Sequence, residues 1–168
     1  KADDGSSGFA EGVYIGTNTG VCKATNKDDR SDRNHVLRND IYDIYSECID
    51  AKEGTFDGEI RGNTFDANLI NGANSADSWV DIKGVGYTVA DNVGKNTGGT
   101  GLLTAGYQTH FHTLDGSGSD NTFSGNKSDA AIETWGIEIT NKTTGNIVKC
   151  DNDFPAATSG DTNVPCAN

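Results

Sequence analysis

The stretch Ile60-Arg61-Gly62-Asn63-Thr64-Phe65 carries the pattern that decides the fold: a short strand, a glycine, an asparagine and an aromatic residue. The pattern returns as Phe123-Ser124-Gly125-Asn126, and looser copies end at Asn39, Asn92 and Asn152. The aligned asparagines lie 24, 29, 34 and 26 residues apart. An irregular period of this size is typical of a solenoid whose turns vary in length while its strands stay stacked.

A second repeated segment precedes these copies and alternates apolar and polar residues, as a strand with one buried face does. It occurs at 12–16, 48–52, 79–83, 102–106 and 136–140. Parallel sheets buried on both faces usually contain continuous hydrophobic runs, so alternation with long connections favours a solenoid over an antiparallel sandwich, the alternative. The residues predicted to face inward are Val13, Ile15, Ile49, Ala51, Val80, Ile82, Leu103, Ala105, Ile137 and Ile139.

These patterns predict an all-β fold, a short right-handed parallel β-helix of about five coils that occupies residues 1–168 as a single domain. Residues 1–10 are predicted to be a polar tail, and residues 150–168 a loop closed by a disulfide. The first coil has no amphipathic helix to cap it. A removed segment, a second chain or an end-to-end copy is therefore expected to cover its sheet edges.

The repeated asparagines are interpreted as structural residues. Asparagine tolerates the left-handed conformation of a turn, and its amide can bond the amide of the next coil, about 4.8 Å away. The pattern therefore predicts a ladder of Asn39, Asn63, Asn92, Asn126 and Asn152 inside the turns. An inward Asn126 could not accept a glycan, which leaves Asn141, in Asn141-Lys142-Thr143, as the glycosylation candidate.

The four cysteines and the charge indicate where the protein acts. Cys150 and Cys166 could close a C-terminal loop, and Cys22 and Cys48 could pair, although the sequence allows three connectivities. Disulfides indicate an oxidising compartment, so we expect a secreted, extracellular protein. The net charge of −12 argues against nucleic acid and anionic membranes as partners. No run of 18 apolar residues could span a membrane.

The outward positions of the aligned strands form two rows. One row contains Tyr14, Asp50, Asp81, Thr104 and Glu138, and the other contains Gly16, Lys52, Lys83, Gly106 and Thr140. Adjacent coils would bring Glu11, Glu47, Asp50 and Asp81 together, with the two lysines beside them. Such carboxylates repel one another unless a calcium ion or the lysines compensate them. A solvated salt-bridge ladder and a functional calcium cluster are the two interpretations.

Several other side chains could contact a glycan. The exposed faces of Tyr14 and Trp79 could stack on sugar rings, although packing under loops is the alternative. His110 and His112 would share one face of a strand and could act as a base or bind a transition metal. Arg61 is expected to face solvent, where it could hold a polyanion or balance nearby acidic residues.

The segments 47–55, 62–65 and 77–84 resemble secreted right-handed β-helix proteins of the pectate-lyase-like superfamily. Many members of that superfamily cleave or epimerise acidic polysaccharides, often with calcium. A narrower resemblance is to the chondroitinase B and alginate lyase branch, in which a Glu-containing strand and a downstream Lys before an Asn-Thr-Phe turn supply calcium ligands and the base. Glu47, Asp50 and Lys52 match that layout loosely. The branch also uses an Arg after the turn, whereas residues 66–83 contain none.

Two functional hypotheses result. The first is a polysaccharide lyase, or a uronate epimerase, acting on an acidic glycan. Lys52 would be its base, Lys83 would assist the substrate carboxylate, and Glu47 and Asp50, with Glu11 or Asp81, would hold calcium. The second is a non-catalytic extracellular module that binds glycans or assembles through its uncapped coil.

Overall fold

The structure, a computed structural model, describes residues 9–25 and 29–168. Short strands dominate these residues. They are β1 (Val13–Ile15), β2 (His35–Leu37), β3 (Asp40–Ile41), β4 (Ile49–Ala51), β5 (Glu59–Arg61), β6 (Thr64–Asp66), β7 (Val80–Ile82), β8 (Thr88–Ala90), β9 (Val93–Lys95), β10 (Tyr107–Thr109), β11 (Thr122–Ser124), β12 (Trp135–Ile139), β13 (Ile147–Val148) and β14 (Gly160–Thr162). Helix α1 (Thr19–Thr25) follows β1, and a 3-10 helix covers Ala73–Ser75. Neither helix has the length and apolar character that a membrane span requires.

The strands form three parallel sheets. The first sheet has the order β1-β4-β7-β10-β12-β14, the second β2-β5-β8-β11-β13, and the third β3-β6-β9. Isolated bridges from Val93 to Lys127 and from Lys127 to Asp153 continue the third sheet. Neighbouring strands come from successive coils, so the predicted parallel β-helix is confirmed. The six strands of the first sheet correspond to five coils and the start of a sixth.

A narrow apolar core fills the space between the sheets. Alternation places one side of each strand inward, as predicted, and Ile49, Ile82 and Ile137 are fully buried. Glycines make room for the largest rings. A Cβ at Gly94 would lie 2.4 Å from the Trp79 ring, and one at Gly136 would lie 2.2 Å from the Phe154 ring. Because these glycines leave space for the large rings, a chain with few large apolar residues can still form a closely packed core.

The fourth strand of the first sheet lies later in the chain than predicted. The segment 102–106 was expected to align with β7, whereas Tyr107↔Val80 and Thr109↔Ile82 are the observed partners. Leu103 and Ala105 are buried as predicted, but they pair alongside the connection that precedes β7, where Thr104 N–H donates to the Asp77 carbonyl. Every second residue from 103 to 109 is buried, so the alternation by itself does not show where the strand begins.

The asparagine ladder is confirmed. The Oδ1 atom of Asn92 accepts hydrogen bonds from the backbone N–H and the side-chain amide of Asn63, at 2.9 and 3.0 Å. Equivalent pairs join Asn39 to Asn63, Asn92 to Asn126 and Asn126 to Asn152. Asn126 is fully buried, so its sequon is closed to a glycan. Asn141 is exposed, and its glycosylation stays a prediction.

Left-handed residues allow the backbone to turn just before the ladder. Arg38 and Asp91 have φ of 56°, and Gly62 and Gly125 have φ of 66° and 61°. Each of them directly precedes a ladder asparagine. Glycine adopts this conformation freely, and aspartate tolerates it better than most residues do. The Gly-Asn pair in the repeat is therefore a turn signal with a physical cause.

One of the predicted disulfides is present. Cys150 and Cys166 are bonded across 16 residues and close the C-terminal loop. Cys48 is a free, buried thiol, so the predicted pairing of Cys22 with Cys48 is wrong; the side chain of Cys22 lies outside the described residues. Cys48 packs into the core because the chain bends at the start of β4, which turns both Cys48 and Ile49 inward.

At the opposite end, β1, β2 and β3 are the edge strands of the three sheets. Residues 1–8 of the predicted tail lie outside the described residues. The large side chains of Phe9 and Tyr42 are exposed near this edge. Cover by another chain or a second copy stays a prediction.

Candidate active site

The first sheet carries two rows of outward side chains, called here the charged rows. Strand register places Asp50 beside Asp81, Asp81 beside Gln108 and Gln108 beside Glu138. Two residues further along each strand come Lys52, Lys83 and His110. Gln108 and His110 therefore take the places predicted for Thr104 and Gly106, because the fourth strand begins at Tyr107 rather than at Leu102.

Ion pairs connect the charged rows across three coils. Lys83 Nζ donates to Asp50 Oδ1 at 3.0 Å and to Asp81 Oδ2 at 2.5 Å. Lys52 pairs with the other oxygen of Asp50. His110 Nδ1 lies 2.8 Å from Asp81 Oδ1. Both aspartates are buried, so the network lies mostly out of solvent rather than on an exposed face.

The network determines which groups stay charged. Burial alone would lower the pKa of Lys83, but the charges of Asp81 and Asp50 outweigh it and raise that pKa far above the usual lysine range. Burial would likewise raise the pKa of Asp81, but Lys83 and His110 hold it well below its usual range. The hydrogen bond to Asp81 raises the pKa of His110 despite burial. Lys83 is thus a fixed positive charge and cannot act as a base.

Three carboxylates lie beside this network. Glu11, Glu47 and Asp50 each place one oxygen within 4.8 Å of the other two. That spacing is about twice a Ca–O distance of roughly 2.4 Å, so one ion could reach all three oxygens. Asp81 is not part of this group, and its two oxygens are engaged by Lys83 and His110. The structure therefore places Asp81 in the ion-pair network rather than among the candidate ligands.

Glu47 is a buried carboxyl beside other acidic groups. Burial, together with the charge of Asp81, raises the pKa of Glu47 to about 8, so this carboxyl is protonated near neutral pH. A bound cation would favour the charged form instead. The carboxyl oxygens of Glu11, Glu47 and Asp50 fit a hard divalent cation such as calcium.

A cleft of about 360 Å³ opens above the charged rows. Asp50, Lys52, Asp81, Lys83 and His110 form its floor. Its remaining lining consists of Glu11, Asn18, Glu47, Asn74, Ser75, Phe111 and His112. Tyr14 adjoins it, since Lys52 Nζ lies 4.9 Å from the centre of the Tyr14 ring and the two side chains are hydrogen-bonded. The cleft thus combines a lysine, a phenol, a histidine and several carboxylates.

A buried carboxylate joins two segments that line the cleft. Glu53 is 1% exposed, and its Oε1 accepts hydrogen bonds from Thr19 N–H and Thr19 Oγ1, both at 2.8 Å. His112 Nδ1 lies 3.0 Å from the same oxygen. The Thr19 hydroxyl also bonds that of Thr113, at 2.7 Å. Residues from coils one, two and four meet here, which no local sequence pattern signals.

Two of the predicted glycan-contacting residues lie elsewhere. Trp79 is fully buried, and its indole N–H donates to the Lys95 carbonyl at 2.9 Å, so it cannot stack on a sugar. The chain bends before β7, and this bend turns Trp79 into the core. Arg61 faces solvent as predicted, but on the second sheet, where it pairs with Glu59 and Asp91. Neither residue contributes to the cleft.

The structure brings the other predicted residues together at the cleft: Tyr14, Lys52, Lys83, His110, Glu11, Glu47, Asp50 and Asp81. Sequence reasoning missed Asn18, Asn74, Ser75 and Phe111 as lining residues. Asn74 and Ser75 have φ of 54° and 65°, a local strain that is not visible in the sequence. Phe111 lies between the two histidines that the sequence did single out.

A comparison with solved structures finds a match to the crystal structure of an alginate lyase from Paenibacillus sp. str. FPU-7. The sequences are 29% identical, the TM-score is 0.81, and the match covers 94% of this chain and 53% of that chain. This chain therefore spans about half the length of the solved structure that it matches. No model of a known protein family matches the sequence, and neither does any curated protein.

Proposed function

We propose that the protein is a secreted polysaccharide lyase that cleaves a uronate-containing glycan of the alginate type by β-elimination. The observation that carries this proposal is the cleft, where Lys52 and Tyr14 lie beside the fixed positive charge of Lys83 and beside His110. The likeness to an alginate lyase supports the substrate class. The disulfide supports an extracellular setting.

The reaction requires a base, a positively charged group that neutralises the substrate carboxylate, and a proton donor. A base removes the proton on the carbon next to the uronate carboxylate, and its electron pair forms a carbon–carbon double bond. The glycosidic C–O bond on the neighbouring carbon breaks, and the leaving oxygen takes up a proton. The product is an unsaturated uronate at the new non-reducing end. A positioned base typically contributes about 10²–10⁴-fold to such a step.

Lys52 is the proposed base. It has one carboxylate partner, Asp50, whereas Lys83 has two and stays charged. Tyr14 is the proposed donor to the leaving oxygen. Burial raises the pKa of its phenol, so Tyr14 holds its proton at neutral pH, and it is hydrogen-bonded to Lys52. The two groups that exchange protons with the substrate are thus adjacent.

Lys83 and His110 are proposed to neutralise the substrate carboxylate as negative charge develops on it. His110 uses Nδ1 to bond Asp81, which leaves Nε2 for the substrate. Its raised pKa keeps it cationic to a higher pH than a free histidine. His110 thus supplies a second cation beside Lys83, whereas residues 66–83 contain no Arg.

Calcium is proposed as a cofactor, held by Glu11, Glu47 and Asp50. A bound calcium ion would add positive charge near the substrate carboxylate. Calcium dependence is tested by measuring turnover and thermal stability in a chelator and after calcium is restored. Unchanged melting temperature and unchanged turnover would remove calcium from the proposal and leave the lysine and histidine roles intact.

The experiment that tests the function measures ultraviolet absorbance of the unsaturated product on polymannuronate, polyguluronate, polygalacturonate and chondroitin. The wild-type chain and Lys52→Ala are compared, with Lys127→Ala as control. Lys127 is an exposed lysine on the side of the third sheet and has no part in the cleft. We expect product from a uronate polymer, lost in Lys52→Ala and retained in the control.

Non-catalytic glycan binding is the second candidate. The ion pairs of Lys52 and Lys83 favour it, because both lysines are held by aspartates before any substrate arrives. Binding to a uronate polymer without product would establish this candidate and overturn the lyase. Absence of both binding and product would overturn both.

A further inference from the structure

The cleft continues sideways into a second depression of about 510 Å³, which shares His110 and Phe111 with it. Its other lining residues are Glu138, Ile139, Thr140, Asn141, Lys142 and Asn163. We propose that this depression, called here the side depression, is a binding subsite for a uronate several residues away from the cleaved bond, with Lys142 as its anion-binding group. The inference rests on the proposed function, because it extends the same substrate path.

Lys142 differs from the other cations of this surface. Lys52, Lys83, His110 and His112 each lie close to an aspartate or glutamate. Among the described residues that line the cleft and the side depression, Lys142 is the one cation with no carboxylate within ion-pair distance. Its charge is therefore available to an anionic ligand without first breaking an internal pair.

Phe111 gives the side depression a defined shape. Lys142 Nζ lies 5.3 Å from the centre of the Phe111 ring, which holds the ammonium beside the wall that the cleft and the side depression share. The ring also offers an apolar face to a sugar. Asn163 supports the floor, because its side chain bonds both the N–H and the carbonyl of Ile139. The pair of a cation and a ring suits a uronate, which carries one carboxylate and one apolar ring face.

The spacing of coils determines the length of the ligand. Lys52 follows β4 and Lys142 follows β12, so three coil steps separate them in the first sheet. With coils about 4.8 Å apart, a ligand touching both must span roughly 14 Å along the helix axis. That distance exceeds the length of a disaccharide, so a disaccharide cannot occupy both sites. The side depression therefore selects for longer chains.

Asn141 lines the same depression. A glycan on Asn141 would fill the space that the substrate needs. The subsite and the glycosylation predicted from the sequence are mutually exclusive in one active molecule.

The test compares Lys142→Gln with Lys127→Gln, an exposed lysine that likewise has no ion-pair partner among the described residues. The probes are oligomannuronates of two and of eight residues. For the octamer we expect Lys142→Gln to raise KM and Kd about three- to fivefold, the effect of one exposed charged contact, with kcat unchanged. For the dimer, and for Lys127→Gln with either probe, we expect less than a twofold change.

A second variant tests the sign of the electrostatic effect. Among the described residues that line the side depression, Glu138 is the one carboxylate. Removing it in Glu138→Gln should lower the octamer KM and Kd about two- to threefold, because a like charge near the ligand is lost. No change, or a weaker binder, would contradict an anion subsite here.

The failures of the two proposals are distinguishable. If the wild type binds the octamer without product and Lys142→Gln weakens that binding, the lyase proposal fails and the subsite stands. If the wild type turns over and Lys142→Gln leaves both constants unchanged, the subsite fails and the lyase stands. Equal losses for octamer and dimer would also overturn the subsite, since its effect depends on chain length.

Discussion

The asparagine ladder and the charged rows are both columns of polar side chains stacked by the same repeat, yet they differ in how completely their groups are paired. Each inner rung of the ladder bonds the next one and is buried. The charged rows contain aspartates held by lysines, but the buried Glu47 beside them has a pKa raised to about 8. Complete pairing stabilises a fold, whereas a buried carboxyl with a shifted pKa beside a cleft can be used in binding and catalysis.

The largest effect is expected where the charged rows face the cleft. Lys52→Ala should lower kcat/KM for a uronate polymer about 10²–10⁴-fold, since the base is removed. The melting temperature should change little, because Lys52 belongs to the network but not to the core. Steady-state kinetics and thermal unfolding measure the two effects. Activity within threefold of wild type would assign the base to another group.

A substitution in the asparagine ladder should instead lower the stability of the fold. Asn92→Ala removes an Oδ1 that accepts two bonds from Asn63 and an amide that donates to Asn126 and Ile60. We expect a loss of about 3 kcal/mol or more, because buried partners are left unsatisfied. Asn39→Ala, at the exposed first rung, should cost about 1 kcal/mol. Urea unfolding of both variants measures the contrast, and equal losses would contradict a ladder whose inner rungs matter most.

The raised pKa of Glu47 predicts how the stability of the fold depends on pH. Its folded pKa of about 8 lies above the ordinary value of 4.5, so the folded chain favours the protonated form. Stability is therefore lost as pH rises from about 4.5 to about 8. Relative to wild type, Glu47→Gln should be more stable at pH above 8 than at pH 5, by an amount on the order of 3 kcal/mol.

The control for this pH effect is Glu133→Gln, at an exposed carboxylate. Its stability difference from wild type should stay flat over the same range. If calcium binds as proposed, calcium should reduce the pH dependence of the wild type and leave Glu47→Gln unaffected. A flat profile for wild type without calcium would show that Glu47 titrates normally.

The smallest effect is expected at Arg61, whose exposed pairs with Glu59 and Asp91 lie on another sheet. Arg61→Ala should change the free energy of unfolding by less than about 0.5 kcal/mol and leave turnover unchanged. A loss of activity comparable to that of Lys52→Ala would bring the second sheet into the substrate path.

The sequence predicted the asparagine ladder better than the charged rows, because the two features depend on different kinds of sequence pattern. The ladder follows from a local motif, since a residue suited to the left-handed conformation and an asparagine are adjacent in each turn. The charged rows depend on register between strands of different coils. Asp50 and Asp81 could be aligned from their similar segments, but His110 was missed as their neighbour, because alternation continues in phase through Tyr107 and does not mark where the strand begins.

Side chains at bends were also mispredicted. Alternation would direct Trp79 outward, but the chain bends before β7 and the indole enters the core, where Gly94 leaves room for it. The same bend before β4 buries Cys48 as a free thiol. A period of two describes the straight part of a strand and fails where the backbone turns.

The sequence alone determined that this chain is a parallel β-helix with an internal asparagine ladder, because those features arise from short motifs repeated along the chain. The tertiary structure alone decided which carboxylates share a lysine, that Glu53 joins segments of coils one and four, and that Phe111 links the cleft to Lys142. The contacts of Glu53 and Phe111 connect residues about 30 to 60 positions apart, in segments outside the repeated strands. No periodicity relates these residues, so only packing in three dimensions brings them together.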